Sequence, residues 1–199
     1  MTATSIARLK VTLDDVKPAV QRRLEVPLTI RLDRLHLVLQ AALGWTNSHL
    51  YEIKAGGVGW GMLDPDFDDG PLDARKARLI DVLEDVGTKT IKYLYDFGDG
   101  WEHTIKVERV TVAVPGVAYP VLLDASGRCP PEDVGGLWGY DEFLDAMANP
   151  EHESHAEMKE WVGEDFDPKV VDVEALAASV AALAKAWTRK PSAKRKSIN

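Results

Sequence analysis

The stretch YLYDFGDGWEHTIKVE, residues Tyr93–Glu108, sets two runs of strand-forming residues on either side of an Asp-Gly dipeptide. Asp-Gly favours a two-residue turn of type I′, because both central positions of that turn need a positive φ. The sequence therefore predicts an antiparallel hairpin with Asp99–Gly100 as its turn. In that register Asp96 lies opposite His103, on the face that we expect to pack against the core.

Strand patterns dominate the first two thirds of the chain, and helical patterns dominate the last third. A helix is predicted over Leu32–Leu43, where leucines recur every three or four residues and Gly44 provides the stop. A strand over Val20–Val26 is predicted to pair with the strand before it, with Arg22 and Arg23 facing outward. This order of elements predicts an α+β fold, a mainly antiparallel sheet in a roll-like single domain with helices concentrated in the C-terminal third.

Length and charge limit the organisation and the partners. The chain has 199 residues, of which 45% are hydrophobic, and we assign residues 1–187 to one domain and residues 188–199 to a basic, flexible tail. Lys185–Asn199 holds six basic and no acidic residues, which leaves 18 basic and 32 acidic groups and a net charge of −14 in the rest. An acidic body repels phosphate backbones, so the tail is the one segment through which nucleic acid could bind, and a solvated end that keeps the protein soluble is the alternative.

The cysteine content and the apolar runs indicate a compartment. Cys129 is the single cysteine, so a disulfide framework within the chain is excluded. The N-terminal residues lack the apolar core of a signal peptide, and no apolar run reaches the roughly 20 residues that a membrane span needs. We expect a cytoplasmic protein without a membrane partner.

A second dense segment, Cys129–Phe143 (CPPEDVGGLWGYDEF), combines acidic residues, glycines and aromatic residues. Glycines let a backbone approach another group closely, and Trp and Tyr offer flat apolar faces with polar edges. Such a loop suits a ligand or peptide pocket, and it equally suits a cover over the hairpin. The residues that we assign to an acidic, aromatic binding groove are Trp101, Glu132, Asp133, Trp138 and Tyr140.

The hairpin end also concentrates ionisable side chains. The candidates for catalysis are Asp96, Asp99, Glu102 and His103. A paired carboxylate and imidazole can act as general acid and base or form half of a metal site. The same pair can also be a satisfied polar contact that fixes the register of the hairpin.

A separate zinc hypothesis uses Cys129, His152 and His155. Two imidazoles three residues apart can share one helical face, and a cysteine would complete three ligands with one open position. The segment reads HESH, however, which is one residue shorter than the zincin motif. We therefore expect no firm metal site and no cofactor, with a divalent ion as the alternative.

Several ordered motifs resemble the plasmid pRiA4b ORF-3-like family over about Arg8 to Val180. The motifs are RLKVTL with KPAVQRRLEVP, LHLVLQAALGWTNSHLYEI, YLYDFGDGWEHTIKVE, CPPEDVGGLWGYDEF and DFDP. The resemblance implies a compact α+β, roll-like domain of a bacterial cytoplasmic protein. Some members are described as passenger or resolvase-like proteins of insertion elements, although this chain lacks the serine and arginine cluster of a serine recombinase.

Three functions remain open at this point. The leading interpretation is a non-enzymatic binding module whose acidic, aromatic groove takes a protein or peptide partner. The first alternative is a metal-dependent hydrolase or nuclease that uses the hairpin carboxylates and His103 together with Glu132 or Asp133. The second is a DNA-associated accessory protein of a plasmid or insertion element, which the family resemblance and the basic tail suggest.

Overall fold

The computed structural model describes residues 4–63 and 70–188. In chain order, the helices and strands of these residues are β1 (Ser5–Leu13), β2 (Gln21–Pro27), α1 (Leu32–Leu43), β3 (Tyr51–Ala55), β4 (Val58–Gly61), β5 (Leu72–Asp73), α2 (Leu79–Val86), β6 (Thr90–Tyr95), β7 (Trp101–Val112), β8 (Val121–Ser126), α3 (Gly136–Ala148), α4 (His155–Val162) and α5 (Val173–Thr188).

The strands form one sheet in the order β5-β4-β3-β6-β7-β1-β2-β8. Every neighbouring pair is antiparallel except β4 and β5, which run parallel. Three of the five helices follow the last strand. The predicted α+β class with a mainly antiparallel sheet and C-terminal helices is therefore confirmed.

One face of the sheet is covered and the other is open. Along β1 and β2, buried apolar residues alternate with half-buried polar ones, as is typical of an antiparallel sheet with a single packed face. On the open face Arg8 donates to Glu25 at 2.7 Å. The predicted outward orientation of Arg22 is wrong, because side chains alternate along a strand and Arg22 shares the buried face with Leu24 and Val26.

Helix α1 has the predicted bounds and fills the core. Its buried side chains include Leu32, Leu35 and Leu39. Gly44 ends the helix in the left-handed conformation (φ 87°), where its N–H bonds to the carbonyl of Gln40. The chain then turns toward β3, which places the loop after α1 beside the end of the central hairpin. Helix α5 packs on α1 and β8 through Val180 and Ala184.

The central hairpin has a longer turn than predicted. Tyr95 pairs with Trp101 and Tyr93 pairs with His103, so residues 96–100 form the connection. Asp96 ends β6 because it adopts a left-handed conformation (φ 56°), and its Oδ1 accepts the Gly98 N–H at 2.9 Å. The predicted pairing of Asp96 with His103 across the two strands is therefore wrong.

Two further points concern membrane-spanning helices and the predicted basic tail. Within the described residues, none of the helices has both the length and the apolar character needed to cross a bilayer. The predicted tail begins at residue 188, the last residue of α5, and its remaining residues 189–199 lie outside the described part of the chain.

Candidate metal centre

Three loops meet at the open end of the central hairpin. They are the loop after α1 (residues 44–50), the hairpin connection (96–100) and the loop before α3 (129–135). The indole N–H of Trp45 donates to the Pro130 carbonyl at 3.0 Å, and the N–H of Gly135 donates to Asp99 Oδ2 at 3.2 Å. The two segments that the sequence singles out are therefore in direct contact.

His49 lies at the centre of this junction. Its Nε2 lies 3.2 Å from Asp133 Oδ1, 3.7 Å from Asp96 Oδ2 and 3.7 Å from Glu132 Oε2. The Nε2 atom is buried and has no hydrogen-bond partner among the described residues. One ligand atom each from His49, Asp96 and Asp133 lie within 4.8 Å of one another. We call His49, Asp96, Glu132 and Asp133 the His49 cluster.

Asp96 is the rigid carboxylate of the His49 cluster. Its side chain is 11% exposed, and its backbone N–H donates to the Leu50 carbonyl at 2.9 Å. The Gly100 N–H donates to the Asp96 carbonyl at 2.7 Å, which closes the connection on itself. With Oδ1 engaged by Gly98, only Oδ2 points toward His49.

Asp133 is the exposed carboxylate, with 71% of its side chain open to solvent. It also has a positive φ of 60°, a conformation that aspartate tolerates better than most residues. Left-handed non-glycine residues concentrate at ligand sites, since the surrounding structure must stabilise them. Asp96 and Asp133 are two such aspartates, and both approach His49 Nε2.

Glu132 is held in place by hydrogen bonds from Tyr95 and Thr46. The Tyr95 hydroxyl lies 3.2 Å from both of its carboxylate oxygens, and the Thr46 N–H donates to Oε1 at 2.7 Å. Burial, and then the charge of Glu132, raise the pKa of Tyr95 to about 12, so this hydroxyl stays protonated. The His49 ring packs edge-on against Tyr95, with the ring centroids 5.8 Å apart.

The aromatic residues beneath the cluster belong to the core. Trp45 stacks on Tyr95 with centroids 5.0 Å apart, and Trp101 contacts Tyr140 edge-on at 6.4 Å. Trp101 and Tyr140 are buried, so the prediction that they line a binding groove is wrong. Their burial has a simple cause: the loop before α3 folds over the hairpin. Trp138 is the opposite case, with 87% of its surface exposed.

The predicted catalytic set is not assembled. His103 is fully buried on β7, with Nδ1 3.2 Å and 3.1 Å from the carbonyl oxygens of Tyr93 and Trp101. Burial lowers the pKa of His103 to about 4, so its imidazole is neutral. Glu102 lies on the opposite, exposed face of β7, and Asp99 binds the Gly135 N–H. Of the four candidates, only Asp96 reaches the His49 cluster.

The predicted zinc ligands are also apart. Within the described residues, Cys129, His152 and His155 do not share a site. Cys129 lies 3.6 Å from Arg22 Nη2, and burial raises the pKa of its thiol to about 12. His155 Nδ1 binds the Ala146 carbonyl at 2.7 Å, and His152 lies in the turn before α4, where its Nδ1 accepts the Ser154 N–H.

His49 is the residue that the sequence analysis does not identify. It lies in a short polar run, WTNSHL, without a ligand-type spacing to any other residue. Its position follows from the pairing of β3 with β6, in which Tyr51 faces Tyr95. Residues 49 and 96 are therefore placed side by side just beyond the paired ends of two strands.

The arrangement matches the chemistry of a divalent-cation site. Imidazole nitrogen suits zinc, iron and nickel, whereas carboxylate oxygen suits magnesium, calcium and manganese. A mixed set of one imidazole and two or three carboxylates fits an ion such as Zn²⁺ or Mn²⁺. The opening toward solvent at Asp133 would leave coordination positions for water or substrate.

Comparison with known proteins places the chain in a family. The profile of the plasmid pRiA4b ORF-3-like proteins matches residues 5–175. The chain belongs to this family. A family relative, the uncharacterized protein y4hQ of Sinorhizobium fredii, is 57% identical over 187 residues, which are 94% of this chain and 96% of the relative.

A solved structure shares the fold of the family member described here. It is the crystal structure of MM3350, a protein of unknown function from Methanosarcina mazei, with a TM-score of 0.77 and 32% sequence identity. The similarity covers 87% of this chain and 98% of that protein. The fold of this chain therefore also occurs in a protein of Methanosarcina mazei.

Proposed function

We propose that this protein binds a divalent metal ion at the His49 cluster and uses it to activate water for hydrolysis. The observation that carries the proposal is the convergence of three carboxylates on one buried imidazole nitrogen. His49, Asp96 and Asp133 would be the ligands. Glu132, fixed by Tyr95 and Thr46, would be either a fourth ligand or the acceptor of a proton from a bound water.

Electrostatics supports a cation at this position. Carboxylates that share a site repel one another unless a positive charge lies between them. The net charge of the chain, −8 at pH 7, adds to this repulsion. A divalent ion would offset two of the three negative charges of the cluster. The metal content of the purified protein measures whether such an ion is bound.

Hydrolysis is the reaction that such a centre favours. A metal ion lowers the pKa of a bound water and polarises the oxygen of an ester or phosphoryl group. An acidic site needs the ion to offset its repulsion of a phosphate substrate. The hydrolase alternative of the sequence analysis is thus retained with a different ligand set, in which His49 replaces His103.

Calorimetry tests whether the protein binds a divalent metal ion at His49. Zn²⁺ and Mn²⁺ are titrated into chelator-treated wild type and into His49→Gln, with His152→Gln as a matched control. We expect one ion per chain in wild type and in His152→Gln, and at least about tenfold weaker binding in His49→Gln. Absence of binding in wild type would overturn the metal centre, and equal binding in His49→Gln would place the ion elsewhere.

Chromogenic esters test whether the metal-loaded protein catalyses hydrolysis. Metal-loaded protein is assayed with bis-p-nitrophenyl phosphate as a phosphodiester and with p-nitrophenyl acetate as a carboxylic ester. We expect turnover of at least one in wild type and loss of that turnover in His49→Gln. Stoichiometric metal without turnover of either ester would reduce the proposal to metal binding.

A binding module is the second candidate, and the exposure of Trp138 favours it. An 87% exposed tryptophan next to the half-exposed Leu137 is the type of side chain that anchors protein interfaces. Trp138→Ala should leave the fold intact, as judged by circular dichroism, and should reduce the capture of partners from a bacterial extract. Unchanged capture by folded Trp138→Ala would count against this role.

The DNA-associated role depends on the basic tail, most of which lies outside the described residues. Its support is the family description and the six basic residues of Lys185–Asn199. Anisotropy with a fluorescent DNA duplex compares the full chain with a chain ending at residue 188. DNA binding that requires residues 189–199 would support the DNA-associated role of the tail. DNA binding that persists without these residues would exclude the tail as the DNA-binding segment.

A further inference from the structure

A cavity of about 660 Å³ adjoins the His49 cluster. It lies between the end of α1, the loop before α3 and the segment that joins α4 to α5. Trp161, Phe166 and Leu176 form an apolar wall, while Glu132 and Asp133 of the His49 cluster form part of the rim. A molecule bound in this cavity would therefore contact both an apolar surface and the proposed metal centre.

The floor of the cavity contains a buried positive charge. Arg22 is 1% exposed, and its guanidinium donates to the carbonyls of Ala42 at 2.6 Å and of Gln21 and Ser126 at 2.8 Å. Among the described residues, no carboxylate lies within 4.0 Å of this guanidinium. Three carbonyl dipoles solvate the charge in part, but a buried charge without a counter-ion is costly.

The neighbouring groups do not supply the missing negative charge. Nη2 of Arg22 faces the Sγ of Cys129 at 3.6 Å. Burial raises the pKa of Cys129 to about 12, so that side chain is a neutral thiol. Burial raises the pKa of Tyr140 to about 12, and its hydroxyl has no hydrogen-bond partner within the described residues. Of the five N–H donors of Arg22, three bind carbonyls and one faces the Cys129 thiol, so one N–H of Nη2 and the positive charge remain for an anion.

The acidic side chains at the rim are already engaged. Tyr95 and Thr46 bind Glu132, His49 faces Asp133, and Asp172 accepts the Ala175 N–H at the start of α5 at 2.9 Å. A second cation, Arg128, stacks over the Phe166 ring at 4.5 Å and also lines the cavity. The lining therefore combines two cationic side chains with an apolar surface.

We infer that this cavity binds an organic anion, with a carboxylate or phosphate group at Arg22 and an apolar body against Trp161, Phe166 and Leu176. Arginine binds both groups through charge-assisted N–H hydrogen bonds, which makes them one class of ligand for this purpose. Binding of the anion stands on Arg22 and the cavity alone. Only the role of that anion as the substrate of the His49 cluster rests on the proposed function.

The test uses three small probes of similar shape. Phenyl phosphate, phenylacetate and the neutral benzyl alcohol are titrated by calorimetry into the full-length protein, both chelator-treated and metal-loaded. We expect saturable binding of phenyl phosphate or phenylacetate and none of benzyl alcohol, and the two anions distinguish a phosphate site from a carboxylate site. Binding of neither anion in either form, or equally tight binding of benzyl alcohol, would overturn the inference.

Two substitutions localise the binding. Ala175 is exposed and lines the cavity, so Ala175→Trp should fill it and weaken anion binding at least about tenfold. Ala178→Trp, on an exposed part of the same helix outside the cavity, is the matched control and should bind as wild type does. Unchanged binding in Ala175→Trp would contradict the assignment. Arg22→Gln should abolish binding where it folds.

Anion binding in the cavity can be measured separately from metal binding at the His49 cluster. The titration is repeated with His49→Gln, which removes the proposed metal ligand and leaves Arg22 and the apolar wall in place. Anion binding that persists in His49→Gln supports the cavity whatever the metal content. Loss of anion binding in Ala175→Trp, with metal binding intact, separates the two sites in the other direction.

Discussion

His49 Nε2 lies 3.2 Å from Oδ1 of Asp133, and this contact joins the loop after α1 to the loop before α3. The second aspartate of the cluster, Asp96, approaches the same nitrogen to 3.7 Å from the hairpin connection. The two carboxylates differ in burial, since 11% of the Asp96 side chain and 71% of the Asp133 side chain are exposed. A mostly buried carboxylate and an exposed carboxylate thus approach the same imidazole nitrogen.

Asp96→Asn should separate metal binding from folding. Asparagine keeps the oxygen that accepts the Gly98 N–H, and it tolerates the positive φ of this position. We expect the free energy of unfolding of the metal-free protein to stay within about 0.5 kcal/mol of wild type. Metal affinity should fall at least about tenfold, since an amide oxygen carries no charge. Urea denaturation and calorimetry measure the two quantities, and wild-type affinity would exclude Asp96 as a ligand.

Tyr95→Phe should weaken the centre through Glu132. The hydroxyl is 3.2 Å from both oxygens of Glu132 and accepts the Ser48 N–H at 3.1 Å. Its removal should cost about 1–2 kcal/mol of stability and weaken metal binding about tenfold. Tyr119→Phe is the control, because that hydroxyl accepts the Val114 N–H at 3.2 Å instead of binding a carboxylate of the cluster. Loss of stability without loss of metal affinity would assign Tyr95 a structural role only.

Gly136→Ala should disturb the contact between the hairpin and the loop before α3. Gly136 has φ 67°, and a Cβ there would lie 2.5 Å from the Asp99 carbonyl oxygen. Gly116→Ala is the matched control, with φ 84° and nothing within 4 Å of the added carbon. The control should lose about 1–2 kcal/mol from backbone strain, and Gly136→Ala roughly 1–3 kcal/mol more from the clash. Similar losses of stability in both variants would show that the backbone around Gly136 and Asp99 moves apart easily enough to accept the added carbon.

Acidification should destabilise the protein through two buried histidines. Burial lowers the pKa of both His36 and His103 to about 4, against about 6.5 in an unfolded chain. For His103, the hydrogen bonds to the backbone of Tyr93 and Trp101 oppose the shift, as does Asp14 to a smaller extent, and Arg22 adds to the shift. Between these values the unfolded state binds more protons than the folded state, so stability is present above pH 6.5 and is lost toward pH 4.

The expected size of the pH effect follows from the same pKa values. Each histidine should contribute roughly 3 kcal/mol over the full window, at up to about 1.4 kcal/mol per pH unit. Urea denaturation of metal-free protein at pH 7.5, 6.0 and 5.0 measures the slope. The slope should be smaller in His103→Gln than in wild type. A stability that does not change over this range would contradict the neutral, buried state of both side chains.

The elements of the fold were accessible to sequence reasoning wherever the signal was local. The spacing of the leucines and the stop at Gly44 set the bounds of α1, and the alternation of β1 and β2 set their pairing. The hairpin register was not accessible, because Asp96 uses its own side chain to end β6 before the Asp-Gly dipeptide. The predicted orientation of Arg22 was wrong because an arginine in a strand normally indicates the exposed face, and the sequence does not indicate that this one is buried.

The candidate site was accessible only in part. Asp96, Glu132 and Asp133 belong to the two dense segments, so their composition pointed to them. His49 was missed because its neighbours in space come from the pairing of β3 with β6, which no short spacing encodes. The aromatic residues were assigned to a surface although Trp101 and Tyr140 are buried, since sequence gives residue type without depth.

Crystallography with anomalous scattering tests the central claim most directly. Wild-type crystals grown with Mn²⁺ or Zn²⁺ are measured on both sides of the absorption edge of the metal. We predict one anomalous peak per chain, about 2.0–2.3 Å from His49 Nε2 and from carboxylate oxygens of Asp96 and Asp133. A peak elsewhere, or no peak at the His49 cluster at saturating metal, would contradict the account.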